Sequence, residues 1–352
     1  MKSIFDYLPK IDADTAEEMA EQAGLDFTAI KADLHYKVNE KVAPQEPSNT
    51  FVGSLDGQQK RIDAGPPKAK ECYVPDKVAV IREDDGRYLG TVGRNRGLLQ
   101  YRDVLAFTEA LVESGEASYV TAGVTGNGEQ AYLVMKANKS VKLSGTDEVD
   151  CYFYVTTSHD SSRGLEVVFS PLRTTNGTVL MTDSVIRFKH SKRVEVRVNK
   201  AKLSLSRVHG YFDEMETSFR LLRSVSLSAA QLDVFLKSIV PDPKDKPQYA
   251  ENVRADIETI YKTGAAQQLP STKGTMLGAY FAVVEYLDKI SPTKVSKVRP
   301  NEYDAKLHRL LEGSGAQTKA DAYAFALDMA RQMQSVSFAG SGATNTFATE
   351  EK

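Results

Sequence analysis

The run Thr157-Ser158-His159-Asp160-Ser161-Ser162 gathers hydroxyls, an imidazole and a carboxylate into consecutive positions. An imidazole titrates near neutrality and a carboxylate can orient it, so His159 and Asp160 form a candidate catalytic pair of hydrolase type. Such chemistry also needs a nucleophile on a strained turn and donors for an oxyanion. Adjacency along the chain does not supply these, and the same run also reads as a polar hairpin tip or a loop that contacts a polyanion. The five histidines (His35, His159, His190, His209, His308) and two cysteines (Cys72, Cys151) never fall at metal-ligand spacing. No metal or other cofactor is expected, and the cysteine usage fits a reducing cytosol.

Cationic chemistry is concentrated further on. Arg187, Lys189, His190, Lys192, Arg193, Arg197, Lys200 and Lys202 follow one another with Glu195 the only acid among them. Arg94 and Arg96 flank Asn95 in a glycine-bounded turn, and Arg163 and Arg173 lie in the strand region. Lys and Arg neutralise phosphates, so these positions are the candidate nucleic-acid contacts. A net charge of −2 over 352 residues confines any such activity to a local patch. The alternative for the same charges is a solvated helix face. Trp is absent and Tyr is frequent, at 16 residues. Tyr88, Tyr101, Tyr119, Tyr132, Tyr152 and Tyr154 lie in or beside the predicted strands, where they can stack bases or serve as ordinary strand residues.

Gly123-Val124-Thr125-Gly126-Asn127-Gly128 is followed by a strand pattern, not a helix, so it reads as a hairpin turn and not as a phosphate cradle. Lys273-Gly274-Thr275 lacks the rest of a phosphate-loop motif.

The positioning elements follow from periodicity. Val194, Val198, Ala201, Leu205, Val208, Phe212, Met215, Phe219 and Leu222 alternate steps of four and three, which predicts one long helix over 187–223 with a buried seam. Before it, a short helix over 13–24 precedes a poorly patterned arm from Val38 to Pro75. Hairpins are expected around Asp85-Gly86 and Gly126-Asn127-Gly128, with a helix between them over 101–114. Further strands are expected over 149–157 and 164–170, the latter broken by Pro171. After Leu227 the pattern is helical throughout. The predicted fold class is α+β: an antiparallel sheet of hairpins with a long helix packed on it, then a helical C-terminal region. The divisions are 1–76 (helix and arm), 77–226 (α+β core), 227–335 (helical region) and 336–352 (disordered tail). No signal peptide or membrane span is apparent, so a cytoplasmic protein with no membrane partner is expected.

The segments Thr156–Ser162, Phe169-Ser170-Pro171-Leu172-Arg173, Asn176-Gly177-Thr178-Val179-Leu180 and Phe188-Lys189-His190-Ser191 resemble the phage- and plasmid-like family known as domain of unknown function 932. Gly24-Leu25-Asp26-Phe27, Leu89–Gly93, Tyr280–Asp288 and Leu311–Ala316 extend the likeness over roughly 24–330. Thr175 stands where that family often has Cys, and Leu277-Gly278 replaces an aromatic. The order of elements is also similar to that of single-strand annealing proteins of the phage Red-beta and eukaryotic Rad type. That likeness implies ring or filament assembly with DNA in a basic groove between sheet and helix. The expected function is therefore a mobile-element nucleic-acid-binding protein, favouring single-stranded DNA and annealing or recombination, as a homo-oligomer. The alternatives are a structural or regulatory oligomer without catalysis, and the His159/Asp160 enzyme.

Overall fold

The computed structural model describes residues 10–39, 69–181, 183–188, 208–245, 247–296 and 301–341. Its fold is α+β, with two antiparallel sheets and a long helical C-terminal region. Helix α1 (Ala16–Gln22) starts where the Thr15 hydroxyl accepts from the Glu18 amide, with Glu17 and Glu18 in its first turn. Strands β1 (Ala29–Asn39), β2 (Ala69–Arg82) and β3 (Tyr88–Gly93) form the first sheet in that order. The predicted arm therefore ends earlier than expected. Residues 29–33 pair with 78–82 and 35–39 with 69–73 as the two legs of a ribbon, and 40–68 lie outside the described residues. Gly86 closes the β2–β3 turn at φ +69°, a conformation that side chains with a Cβ rarely adopt.

Helix α2 (Tyr101–Glu113) leads into the second sheet: β4 (Ala117–Thr125), β5 (Gln130–Ser144), β6 (Asp147–Ser158), β7 (Leu165–Arg173) and β8 (Thr178–Val179) in sequential order. Strand β9 (Asp183–Phe188) pairs with the first half of β7. Pro171 does not break β7 as expected. It falls between the stretch paired to β9 and the stretch paired to β8, and its carbonyl accepts from the Leu180 amide at 2.7 Å.

The long helix needs a correction. Arg187 lies in β9, opposite Glu166, and the helix α3 spans Val208–Ser224. The second half of the seam behaves as predicted: Phe212, Met215, Phe219 and Leu222 are buried, and Phe212 meets Phe169 of β7 edge-on at 5.4 Å. Lys189, His190, Lys192, Arg193, Arg197, Lys200 and Lys202 lie outside the described residues.

Helices α4 (Ala229–Ile239), α5 (Pro247–Thr263), α6 (Met276–Glu285), α7 (Glu302–Leu311) and α8 (Ser314–Ser341) follow. Their starts show the expected chemistry. Ser228 and Gln231 make a capping box on α4, and the Thr275 hydroxyl caps α6. Helix α8 carries on into the predicted disordered tail as far as Ser341.

The second sheet is covered on both faces. Leu133, Met135, Phe153, Val155 and Val167 join the main core with α1, α2, α3 and α6. Tyr132, Val134, Tyr154, Val168 and Leu172 point the other way and are roofed by Leu307, Leu310 and Leu311 of α7. Strand alternation assigns these two sets, since neighbours on a strand face opposite sides.

The Phe169–Arg173 and Asn176–Leu180 segments supply the joint between sheet and helices. Arg173 is fully buried and makes two 2.8 Å bonds to Asp147. It also donates to Gln267 and to the Ala266 carbonyl, and stacks over Phe281 at 4.5 Å. Ser271 and Thr175 donate their hydroxyls to the same carboxylate. Asn176 and Gln267 both donate to Glu285, while buried Lys319 of α8 sits 2.6 Å from Asp288 and donates to the Val179 carbonyl. A buried ionic group is tolerated only when it is paired and bonded, which is what the Asp147–Arg173 pair achieves.

Candidate functional site

A cavity of about 430 Å³ opens where the β4–β5 turn, the β6–β7 loop and α7 meet. Tyr132 of β5 and Tyr154 and Thr156 of β6 share one face of the sheet and line it. The two tyrosine rings lie 6.4 Å apart at an interplanar angle of 24°. Arg163 lines the opposite side, ion-paired to Glu312, the residue that follows α7. One nitrogen of His308 lies 3.1 Å from both Arg163 and Glu312. His308 and Glu312 are four apart at the end of a helix, which puts them on one side of it.

The β6–β7 loop is held open in a defined shape. Ser161 takes a left-handed φ of +72°. Asp160 accepts from the Ser162 amide at 2.8 Å and hydroxyl at 2.5 Å, and Gln130 donates to Ser162 at 3.1 Å. Strand β3 crosses so closely that a Cβ at Gly90 would come within 2.5 Å of the Asp160 Cα, so only glycine fits. Thr156 is 3% exposed, and its hydroxyl oxygen finds no hydrogen-bond partner among the described residues.

The candidate catalytic pair does not assemble as a pair. His159 is buried, with its ring 4.2 Å from Tyr101 and 6.1 Å from Phe27. Its imidazole belongs to the core, so it cannot meet a substrate as a base, whereas Asp160 lines the cavity. Arg173 is also corrected: held by Asp147 in the interior, it cannot reach a phosphate. The other described arginines form a connected surface. The Arg94 guanidinium lies 5.2 Å from the Tyr73 ring centroid, pairs with Asp33 at 2.9 Å and donates to the Pro75 carbonyl. Lys31 donates to the Arg94 and Arg96 carbonyls at 3.0 and 2.5 Å. Arg96 reaches the Arg163 carbonyl at 3.2 Å, which carries the path to the cavity wall.

The aromatic expectation is redistributed. Tyr101, Tyr132 and Tyr154 are buried, and the ribbon sheet exposes Tyr36 at 53%, Tyr73 at 46% and Tyr88 at 53%, while Tyr249 of α5 is exposed away from any strand. His35 stands opposite Tyr73 across β1 and β2, and Tyr36 stands opposite Cys72 on the other face. The sequence signal for these two tyrosines was the Ile30/Ala32/Leu34 alternation with Lys31 and Asp33, which is short and weakly apolar.

Four carboxylates share one electrostatic pattern. Burial pushes Asp147, Asp160, Glu285 and Glu312 up, and their bonding partners outweigh it, so each sits below its ordinary value. Arg173 does this for Asp147, Ser162 for Asp160, Lys289 for Glu285, and His308 with Arg163 for Glu312. A group whose folded pKa is depressed contributes stability that is complete above its unfolded pKa and is lost as pH falls through the folded one. The melting temperature should therefore hold from neutrality to about pH 4 and fall steeply below it. Glu312→Gln should make the acid limb shallower in a scan of melting temperature against pH.

A protein-family model, Domain of unknown function (DUF932), matches residues 88–312. No curated protein and no solved structure matches the chain, so the likeness to Red-beta-type annealing proteins finds no support. The match takes in the cavity and the Asp147–Arg173 network, and starts after the β1–β2 ribbon. Among the described residues, no helix is long and apolar enough to cross a membrane.

Proposed function

The chain belongs to the DUF932 family, a kinship that names no chemistry, so from the molecule's own surface we propose that it binds single-stranded nucleic acid. One observation carries the reading: the exposed Tyr73 ring, Arg94 and Lys31 form a surface that continues through Arg96 to Arg163. Phosphates are met by side chains of this kind, and exposed rings stack on bases of any sequence. The basic run from Lys189 to Lys202 adds cations between β9 and α3 in the chain, and supports the same reading by its composition. Binding of this type needs no cofactor and no bond chemistry. Annealing is the specific activity proposed, since it requires only neutralised backbones and accessible bases.

The preference is tested by fluorescence anisotropy of a labelled oligothymidylate, with unlabelled single strand and duplex as competitors. The single strand should displace the label at lower concentration than the duplex. Equal displacement would put the duplex backbone, and not the stacked base, at the centre of recognition. Homo-oligomerisation is proposed alongside, supported by β1 being an edge of its sheet among the described residues, and native mass measurement on the same samples tests it.

A further inference from the structure

We infer that the cavity between the sheet and α7 is a base pocket: an unpaired base of the bound strand enters it while the backbone follows Lys31, Arg94 and Arg96. This rests on the nucleic-acid reading above and adds where a base goes. The first observation is continuity. Arg96 donates to the carbonyl of Arg163, and Arg163 lines the cavity, so the cationic path ends at its wall. The second is chemistry. Glu129 and Asp160 line the cavity beside Arg163, whose charge Glu312 already matches. A phosphate entering there would meet two carboxylates, whereas a neutral base meets acceptors for its ring N–H or exocyclic amine.

The third observation is an unused group. Thr156 lines the cavity, and its hydroxyl oxygen is buried and has no hydrogen-bond partner among the described residues. Buried polar groups are nearly always bonded, so an isolated hydroxyl on a residue of the cavity wall points to a missing partner. Tyr132 and Tyr154 supply the aromatic lining, and about 430 Å³ lies within the range that encloses small ligands. His308, partly exposed on α7, stands at the rim.

The test uses the full chain and two labelled strands of equal length, an oligothymidylate and an abasic strand with the same phosphates. The wild-type protein should bind the thymidylate at least about tenfold tighter, the scale of one well-stacked base. Thr156→Val keeps the shape and removes the hydroxyl, and His308→Trp puts bulk at the rim. Each should narrow that gap about threefold or more and leave the salt dependence unchanged. Tyr73→Ser should leave part of the gap, because it removes only the ribbon's ring. Equal binding of both strands by the wild type overturns the pocket, as does a gap that neither Thr156→Val nor His308→Trp changes. In both cases nucleic-acid binding itself would stand. Binding of neither strand would overturn both readings.

Discussion

Arg173→Met should lower the unfolding free energy by about 3–5 kcal/mol, read by urea titration of the far-ultraviolet circular dichroism. Methionine keeps much of the length that packs on Phe281 and removes the charge. Asp147 is then left 1% exposed with the Ser271 and Thr175 hydroxyls but without its cation. The loss should shrink as the pH is lowered from neutrality to about 5, because burial, opposed then only by the two hydroxyl bonds, favours the protonated form of Asp147 in the folded state. Replacing both partners, Arg173→Met with Asp147→Leu, should recover much of the stability, since the uncompensated charge has gone. A single-variant loss under about 1 kcal/mol would mean that the ion pair is not what joins sheet to helices.

Tyr73→Ser should weaken oligothymidylate binding by about five- to hundredfold, the range that corresponds to one stacked base at about 1–3 kcal/mol. Tyr73 is half-exposed, and its ring is shared with Arg94 and His35, so its loss removes both the stacking face and the support of the guanidinium. Tyr36 provides an internal comparison. It is equally exposed but pairs with Cys72 on the reverse face of the ribbon, away from Arg94. Tyr36→Ser should change affinity less than twofold, well below one stacked base. Neither variant should shift the melting temperature by much, because exposed positions contribute little to the core. Equal losses from the two substitutions would mean that the Arg94 face has no special part in binding.

What the sequence revealed follows the strength of each local signal. Asp85-Gly86 and Gly126-Asn127-Gly128 sit where a positive φ is needed, and both hairpins appear as expected. The C-terminal helices were legible from caps and periodicity, down to Ser228 and Thr275. The helix expected over 187–223 is present as α3 over its second half, while its start falls in β9 and residues 189–207 lie outside the described residues. Arg187 precedes the first seam position, Val194, and pairs as a strand residue opposite Glu166. The ribbon was missed because its partner legs are about thirty residues apart and neither alternates strongly. Arg173 and His159 show the limit for sites. Residue type marked both as surface chemistry, but their burial depends on Asp147, Tyr101 and Phe27, which are distant in the chain. The Arg163–His308–Glu312 wall had one legible half, the four-residue spacing from His308 in α7 to Glu312 just after it. Its other half required knowing that α7 roofs the sheet.

The central claim is tested most directly by a salt series on the intact protein with a labelled oligothymidylate of about twenty nucleotides. Each phosphate contacted on a single strand contributes about −0.7 to the slope of log K against log salt, so Lys31, Arg94 and Arg96 alone predict about −2. The account predicts binding at low micromolar protein in dilute salt, a slope of about −2 or steeper, and a shallower slope by about 0.7 for Arg94→Gln. No binding at micromolar protein in dilute salt, or an affinity indifferent to salt, would contradict it.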